Sequence, residues 1–225
     1  MFILKPKMSI KIGNAGSVEL LETFGNDLTV VNAARVSFNK ESTEFSETDT
    51  KLVNYLASHD HISPFFHPQA RFRIKMPIFV AREWFRHTVG FARNEISRRY
   101  VDFEPEIWVP AEFRERDPKL KQGSKTTAVE NNEVVLDMYN RAVKVSMEAY
   151  ESLLAAKVAP EMARSILPQG MYTEFIETGS LAAYARLCGL RLDPSAQLEI
   201  QTYANAIHEL MKDKFPVSWV ALMKP

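Results

Sequence analysis

The stretch from Arg82 to Tyr100, R-E-W-F-R-H-T-V-G-F-A-R-N-E-I-S-R-R-Y, concentrates the groups of this chain that could hold an anion. At 3.6 residues per turn, Ile78, Val80, Ala81, Trp84 and Phe85 share one side of a helix. Arg82, Glu83, Arg86 and His87 cluster on the other, with only Phe79 among them. A solvated helix face ordinarily mixes Lys, Glu and Gln, so an Arg-Arg-His-Glu cluster points to a bound anion. An Arg–Glu surface network is the alternative, and the cluster alone does not choose between them. The turn Gly90 to Asn94 adds Arg93, and Glu95, Ser97, Arg98 and Arg99 arrive together just after it. Guanidinium forks match phosphate oxygens in planar, bidentate geometry, and Ser97 adds a neutral donor.

These groups need a framework. Val18 to Phe24 reads as a strand, followed by a turn at Gly25-Asn26 and a helix capped by Asp27. Ser46 begins a second helix whose Leu52, Val53, Tyr55 and Leu56 face inward. Ala70, Phe72 and Ile74 alternate with Arg71, Arg73 and Lys75, a period of two that predicts a half-buried strand. Pro77 then opens the helix of the cluster, where its missing N–H costs nothing. Residues 103–132 are rich in Pro, charge and turn formers and read as a long surface connection. Beyond it, Val135, Met138, Tyr139, Ala142, Ala149, Tyr150 and Leu153 keep helical spacing, and Pro160 opens a short helix that ends before Pro168. Tyr172 to Thr178 reads as a strand, Ser180 caps a helix to about Cys188, and a last long helix runs from Pro194 to about Lys214. Strands and helices mix without a regular βαβ alternation. The expectation is one α+β domain over residues 1–225, a mixed or antiparallel sheet packed with long helices.

Composition narrows the function classes. The 225 residues are 46% hydrophobic and 25% charged, which excludes a disordered tail or a coiled coil. Lys plus Arg (28) equals Asp plus Glu (28), so a general nucleic-acid binder with a basic excess is disfavoured. No run of about twenty apolar residues is present and the N-terminus lacks signal-peptide architecture, so the expectation is a cytoplasmic protein without membrane contact. Cys188, the single cysteine, excludes an internal disulfide framework and any multi-cysteine metal site.

The run F-R-H…N-E-x-S-x-R-Y resembles the signature of the flavin-dependent thymidylate synthases. The resemblance continues in N-A-A-R-V-S-F at 32–38, H-x-S-P-F at 61–65 and P-I-F-V-A-R-E-W-F-R-H at 77–87. It extends through A-R-S-I-L-P at 163–168, L-R-L-D at 190–193 and A-Q-x-E-I-Q at 196–201. Several such matches in one order at compatible spacing are specific where one would be weak. The resemblance implies a homotetramer with active sites at subunit junctions, each holding FAD and dUMP. It also implies transfer of a one-carbon unit from 5,10-methylenetetrahydrofolate to C5 of uracil, with NADPH reducing the flavin. By position, Arg86, Ser97, Arg98, Arg99 and Arg164 match the residues that hold the nucleotide phosphate, and Glu83 stands where the family usually has a nucleotide-contacting Gln. Arg191 matches the arginine that binds the uracil edge and favours its ionised form. Ser37, His61, Ser63, His87 and Glu95 match flavin-contacting positions, Arg86 and Asn94 are expected on the flavin side with them, and Ser180 and Arg186 fall where the family often places other residues against the flavin.

The residues read physically allow these roles and bland ones. Arg191 follows a short helix and could offer a fixed cation where charge develops on the ring, or it could simply answer the helix dipole. Arg164, between Met162, Ala163, Ile166 and Leu167, is expected near a buried or interfacial anion, with a surface salt bridge as the alternative. Thr88 replaces a second family Arg, and the stretch from His87 to Asn94 is one residue longer than usual. That leads to the expectation that the Gly90 loop swings Arg93 towards the flavin in its place. Phe66, Ser180, Ala182 and Arg186 also depart from the pattern, so the flavin half is altered more than the nucleotide half. A pyrimidine hydroxymethylase on the same scaffold is therefore the alternative outcome. A single-stranded nucleic-acid binder stacking on Trp84, Phe91 and Tyr100 is the alternative from another class. His59, His61 and His67 lack a Cys or carboxylate to complete a metal site, and Gly123-Ser124-Lys125-Thr126-Thr127 lacks the pattern of a phosphate loop. Cys188, among apolar neighbours, is expected to fill space rather than attack a pyrimidine ring.

Overall fold

A computed structural model describes residues 8–100, 103–119 and 123–224. Strands β1 (Met8–Ile12) and β2 (Gly16–Phe24) form a hairpin, and β2 continues the sheet to β3 (Gln69–Pro77). Next come β5 (Tyr172–Ser180) and, at the edge, β4 (Phe91–Glu95), giving the order β1-β2-β3-β5-β4 with every pair antiparallel. The period-two reading of β3 is borne out: Ala70, Phe72, Ile74 and Met76 are buried, while Gln69, Arg71 and Arg73 are exposed. The polar face carries ion pairs such as Arg71–Glu22 at 2.9 Å, which contribute little in water. Among the described residues the helices that build the core pack on the other, apolar face, as expected of an α+β protein.

On that face lie α6 (Leu181–Arg191) and α7 (Leu198–Lys214), backed by α1 (Asp27–Arg35), α2 (Glu47–Ser58) and α8 (Ser218–Leu222). Ile200, Tyr203, Ala204, Ile207 and Met211 form the buried stripe expected of the last long helix, which starts at Leu198 rather than Pro194. Asn26 and not Asp27 caps α1, through a reciprocal box with Thr29. Asp27 instead accepts from the backbone N–H groups of Val217 and Ser218, so its carboxylate holds the start of α8. Ser46 caps α2 as expected, but Tyr55 points outward with half its surface exposed. β1 and α8, too short to declare themselves by pattern, were not anticipated.

Helix α4 (Asn132–Ala155) keeps the expected register yet buries only Tyr150, leaving Val134, Met138 and Val145 more than half exposed. The short helix α5 (Pro160–Ala163) and a 3-10 turn at Arg164–Ile166 pack against it. The described part of the 103–132 connection is tied down, since Trp108 N–H donates to Gly170 and Tyr172 N–H to Glu106, both at 2.8 Å. Arg114 also pairs with Glu199 of α7 at 2.7 Å.

Candidate active site

Pro77 ends β3 and its extended backbone starts α3 (Ile78–Trp84), whose first N–H donates to Met171. Val80, Ala81 and Trp84 are buried, Ile78 and Phe85 half-buried, and Arg82 and Arg86 exposed, so the two-sided reading of this helix holds. His87 departs from it. Although grouped with the polar side, it is 8% exposed, tucked behind the helix C-terminus. The chain then turns through Gly90, whose φ of +83° suits glycine, and a Cβ there would stand 2.9 Å from Ala183 Cβ.

Arg191, the last residue of α6, crosses to this corner. Its Nη1 pairs with Glu83 Oε1 and its Nε–H donates to His87 Nε2 at 2.9 Å. α6 runs three residues beyond the expected end at Cys188, and that extra turn delivers the guanidinium. Burial, and then the charges of Arg191, Arg186, Arg93 and Arg86, push His87 down to about 4. The imidazole is therefore neutral at pH 7, with Nε2 the acceptor and Nδ1 carrying the proton.

Arg93 does not behave as expected. It lies on β4, not in a swinging loop, directly opposite Glu177 of β5, and its Nε pairs with Glu177 Oε2. The Arg93 guanidinium also sits over the rings of Phe91 (4.9 Å) and Phe85 (5.4 Å). Glu177 is wholly buried and receives Trp84 Nε1–H at 3.2 Å. Burial pushes the Glu177 carboxyl up, and Arg93, Trp84 and Tyr184 offset this only in part. Neither the loop expectation nor an exposed Arg93 describes this side chain. The sequence did hold a signal: Glu177 has the same parity as Thr173 and Phe175, the inward face of its strand.

At the end of β4, Glu95 accepts from Thr173 Oγ1 at 2.5 Å, and beyond it Ser97 Oγ accepts from the backbone and side chain of Arg99 at 3.3 and 3.2 Å. Arg98 is buried, donates to the Phe103 carbonyl and stacks on its ring at 4.3 Å, and burial lowers its pKa. A cavity of about 420 Å³ opens here between Arg82, Glu95, Arg98, Glu161 and Arg164. Arg164 is exposed within the chain, which leaves an interfacial anion open to it, and among the described residues it makes no surface salt bridge and bonds to the nearby Glu161 carbonyl at 3.4 Å. Among the described residues Arg82, Arg86, Arg99 and Arg164 have no carboxylate partner, which leaves four guanidinium groups for an anion. Arg82 is the member of this set that belongs to the anion-pointing cluster of the motif yet lines the cavity beside Arg164.

The expected flavin residues are scattered more widely. Arg186 donates to the Val89 carbonyl at 2.6 Å and lines a cavity of about 1110 Å³ together with Lys51, Tyr55, Ile62, Ala182 and Lys224. Its volume lies at the upper end of ligand sites. Three cations suit an anionic diphosphate, and the exposed faces of Tyr55 and Ile62 suit a flat ring, so these residues fit a flavin dinucleotide. Lys51 and Lys224 were not anticipated, because single lysines far apart in sequence carry no pattern. Exposed His61 packs edge-on against Tyr55 at 5.9 Å, beside this cavity. Ser37, Ser63, Thr88 and Asn94 are exposed. The Ser180 hydroxyl caps α6 by accepting from Ala183 N–H at 3.1 Å, a bond that occupies it within the fold.

His59 and His61 stand 6.4 Å apart by ring centroid, and among the described residues no three His, Cys, Asp or Glu are placed to hold a metal ion. Cys188 is fully buried with Sγ 3.6 Å from the Ala204 carbonyl, and burial pushes its thiol far up, so it is no thiolate nucleophile. Among the described residues no helix is long and apolar enough to cross a membrane.

Residues 19–217 match the family described as thymidylate synthase complementing protein. The flavin-dependent thymidylate synthase of Thermotoga neapolitana is 40% identical over 217 residues, covering 96% of this chain and 95% of that protein. The one from Thermus thermophilus is 39% identical over 214 residues, covering 95% of this chain and 78% of that protein. Among solved structures, the UMP/dUMP methylase PolB from Streptomyces cacaoi, bound with 5-Br dUMP, superposes with a TM-score of 0.83 at 28% identity. That likeness covers 94% of this chain and 96% of PolB.

Proposed function

The chain belongs to the thymidylate synthase complementing protein family, the flavin-dependent thymidylate synthases, and from that premise we propose that it methylates dUMP reductively to dTMP, using 5,10-methylenetetrahydrofolate, FAD and NADPH. The observation that carries the reading is the convergence of Arg191 with Glu83 and His87, more than a hundred positions away in sequence, on the segment bearing Arg86. A guanidinium fixed at that corner can donate to the O2/N3 edge of uracil and stabilise the charge that develops there as C5 becomes nucleophilic. Arg86, Arg99 and Arg164, free of carboxylates, are assigned to the nucleotide phosphate. Ser97 and Arg98 are assigned to the same phosphate. Arg186, Lys51 and Lys224 would hold the flavin diphosphate, and a bound reduced flavin would supply the hydride needed to complete the methyl group. Because Cys188 is sealed, the pyrimidine is activated by Arg191 and not by a thiolate adduct.

Residues 1–225 act in this reading as one domain in a homotetramer with its sites at subunit junctions. Two features support the assembly: β4 stands between the Arg191 corner and the Ser97–Arg99 segment, and α4 leaves apolar residues uncovered. The closing test is mass spectrometry of the product made from dUMP, methylenetetrahydrofolate and NADPH by the FAD-loaded protein. A methylated product agrees with the proposal. A hydroxymethylated product, or none, rejects it.

A further inference from the structure

Arg191 has more holding it than a surface arginine needs. Its Nη1 is paired with Glu83 and its Nε–H with His87, from opposite ends of the same short segment, while Nη2 has no partner among the described residues and is not sealed in the interior. Two bonds to adjacent guanidinium nitrogens fix both the position and the plane of the group. One bond would leave it free to pivot. The supports are themselves constrained: Glu83 is on α3, whose Trp84 is locked into the core by Glu177, and His87 is buried with few ways to rotate.

We propose that Glu83 and His87 are positioning residues, which hold the Arg191 guanidinium in one plane with Nη2 presented to the pyrimidine. This rests on the reading of Arg191 as the residue at the pyrimidine edge. The imidazole performs the task only as an acceptor, and its burial among Arg191, Arg186, Arg93 and Arg86, with Glu83 the nearby carboxylate, keeps it neutral. The carboxylate of Glu83 does more than a neutral amide would, because a charge-assisted bond is shorter and stronger. In this chain it faces an arginine of the protein itself, so its first duty is to the guanidinium and not to the nucleotide.

A double-mutant cycle on the FAD-loaded enzyme tests the proposal. Displacing a fixed catalytic group by about 1 Å can cost on the order of a hundredfold in rate, so Glu83→Ala should lower kcat by about ten- to a hundredfold. KM for dUMP, FAD affinity and the thermal midpoint should move little. Glu83→Gln, which keeps an acceptor of the same length, should recover most of that loss. His87→Gln, which also supplies an acceptor, should retain more turnover than His87→Ala. Glu83→Ala combined with Arg191→Ala should be no slower than Arg191→Ala alone, since a positioning residue has nothing left to position. Losses that multiply in the double mutant overturn the proposal, as does full turnover of Glu83→Ala beside a crippled Arg191→Ala. Normal turnover of Arg191→Ala gives a different pattern: it removes the pyrimidine-edge reading, and this proposal with it.

Discussion

Arg93 and Arg191 each face a carboxylate at the same corner of the molecule, yet the two pairs do opposite things. The Arg93 side chain is 15% exposed and its partner Glu177 is at 0%, with Trp84, Phe85 and Phe91 closing over them. Arg191 and Glu83 are 18% and 24% exposed, with one guanidinium nitrogen left over. In the interior an unpaired charge is expensive, so Glu177 is held by both Arg93 and Trp84, although Arg93 Nη2 is itself buried without a partner among the described residues, and the pair serves as structure. At the rim water can solvate what the chain leaves unpaired, so Arg191 can be held by two neighbours and still present a donor. The same residue type becomes a strut or a tool according to whether its carboxylate is sealed.

Substitutions should separate the two arginines, most strongly at the sealed one. Arg93→Ala strands the buried Glu177 and should destabilise the fold by about 3–5 kcal/mol, measured by denaturant unfolding. Arg93→Met with Glu177→Leu should recover much of that stability, and a double variant as unstable as the single one would refute the strut. At the rim, Arg191→Ala should leave unfolding nearly unchanged but lower turnover by about a hundredfold or more. A large drop in stability with unaltered turnover would invert the comparison. Among the free cations, Arg86→Ala, Arg99→Ala and Arg164→Ala should each weaken dUMP by about 1.5–3 kcal/mol. Deoxyuridine, which lacks the phosphate, serves as the calorimetric control, and equal losses for both ligands would reject the phosphate clamp.

His87 joins both regions and gives a pH signature. Its folded value of about 4 lies below the ordinary 6.5, so between these the unfolded chain binds more protons than the native one. Stability should therefore fall as pH drops from about 6.5 to about 4, by at most about 1.4 kcal/mol per pH unit from this residue. His87→Gln should flatten that part of the thermal-midpoint curve, and an unchanged slope would place the acid sensitivity elsewhere. The smallest effect is expected at Cys188: Cys188→Ala should keep turnover and cost about 1 kcal/mol of stability. Loss of turnover in the folded, flavin-loaded variant would restore a role for the thiol.

What could be read from the sequence is what repeats or is local. The alternation of Ala70, Phe72 and Ile74 gave β3, the apolar stripe from Ile200 to Met211 gave α7, and Ser46 and Ser180 gave their helix caps. The order of short motifs gave the family. Tertiary structure decided which arginines remain free. Arg93 and Arg99 look alike in the linear motif, and only the register of β4 on β5, which sets Arg93 against Glu177, tells them apart. The partnership of Arg191 with Glu83 and His87 spans more than a hundred residues and depends on three additional residues of α6. The tying of Asp27 to α8 spans still more. Periodicity records which side of an element is buried, whereas long-range ion pairs depend on which elements meet and at what offset, and packing alone fixes that.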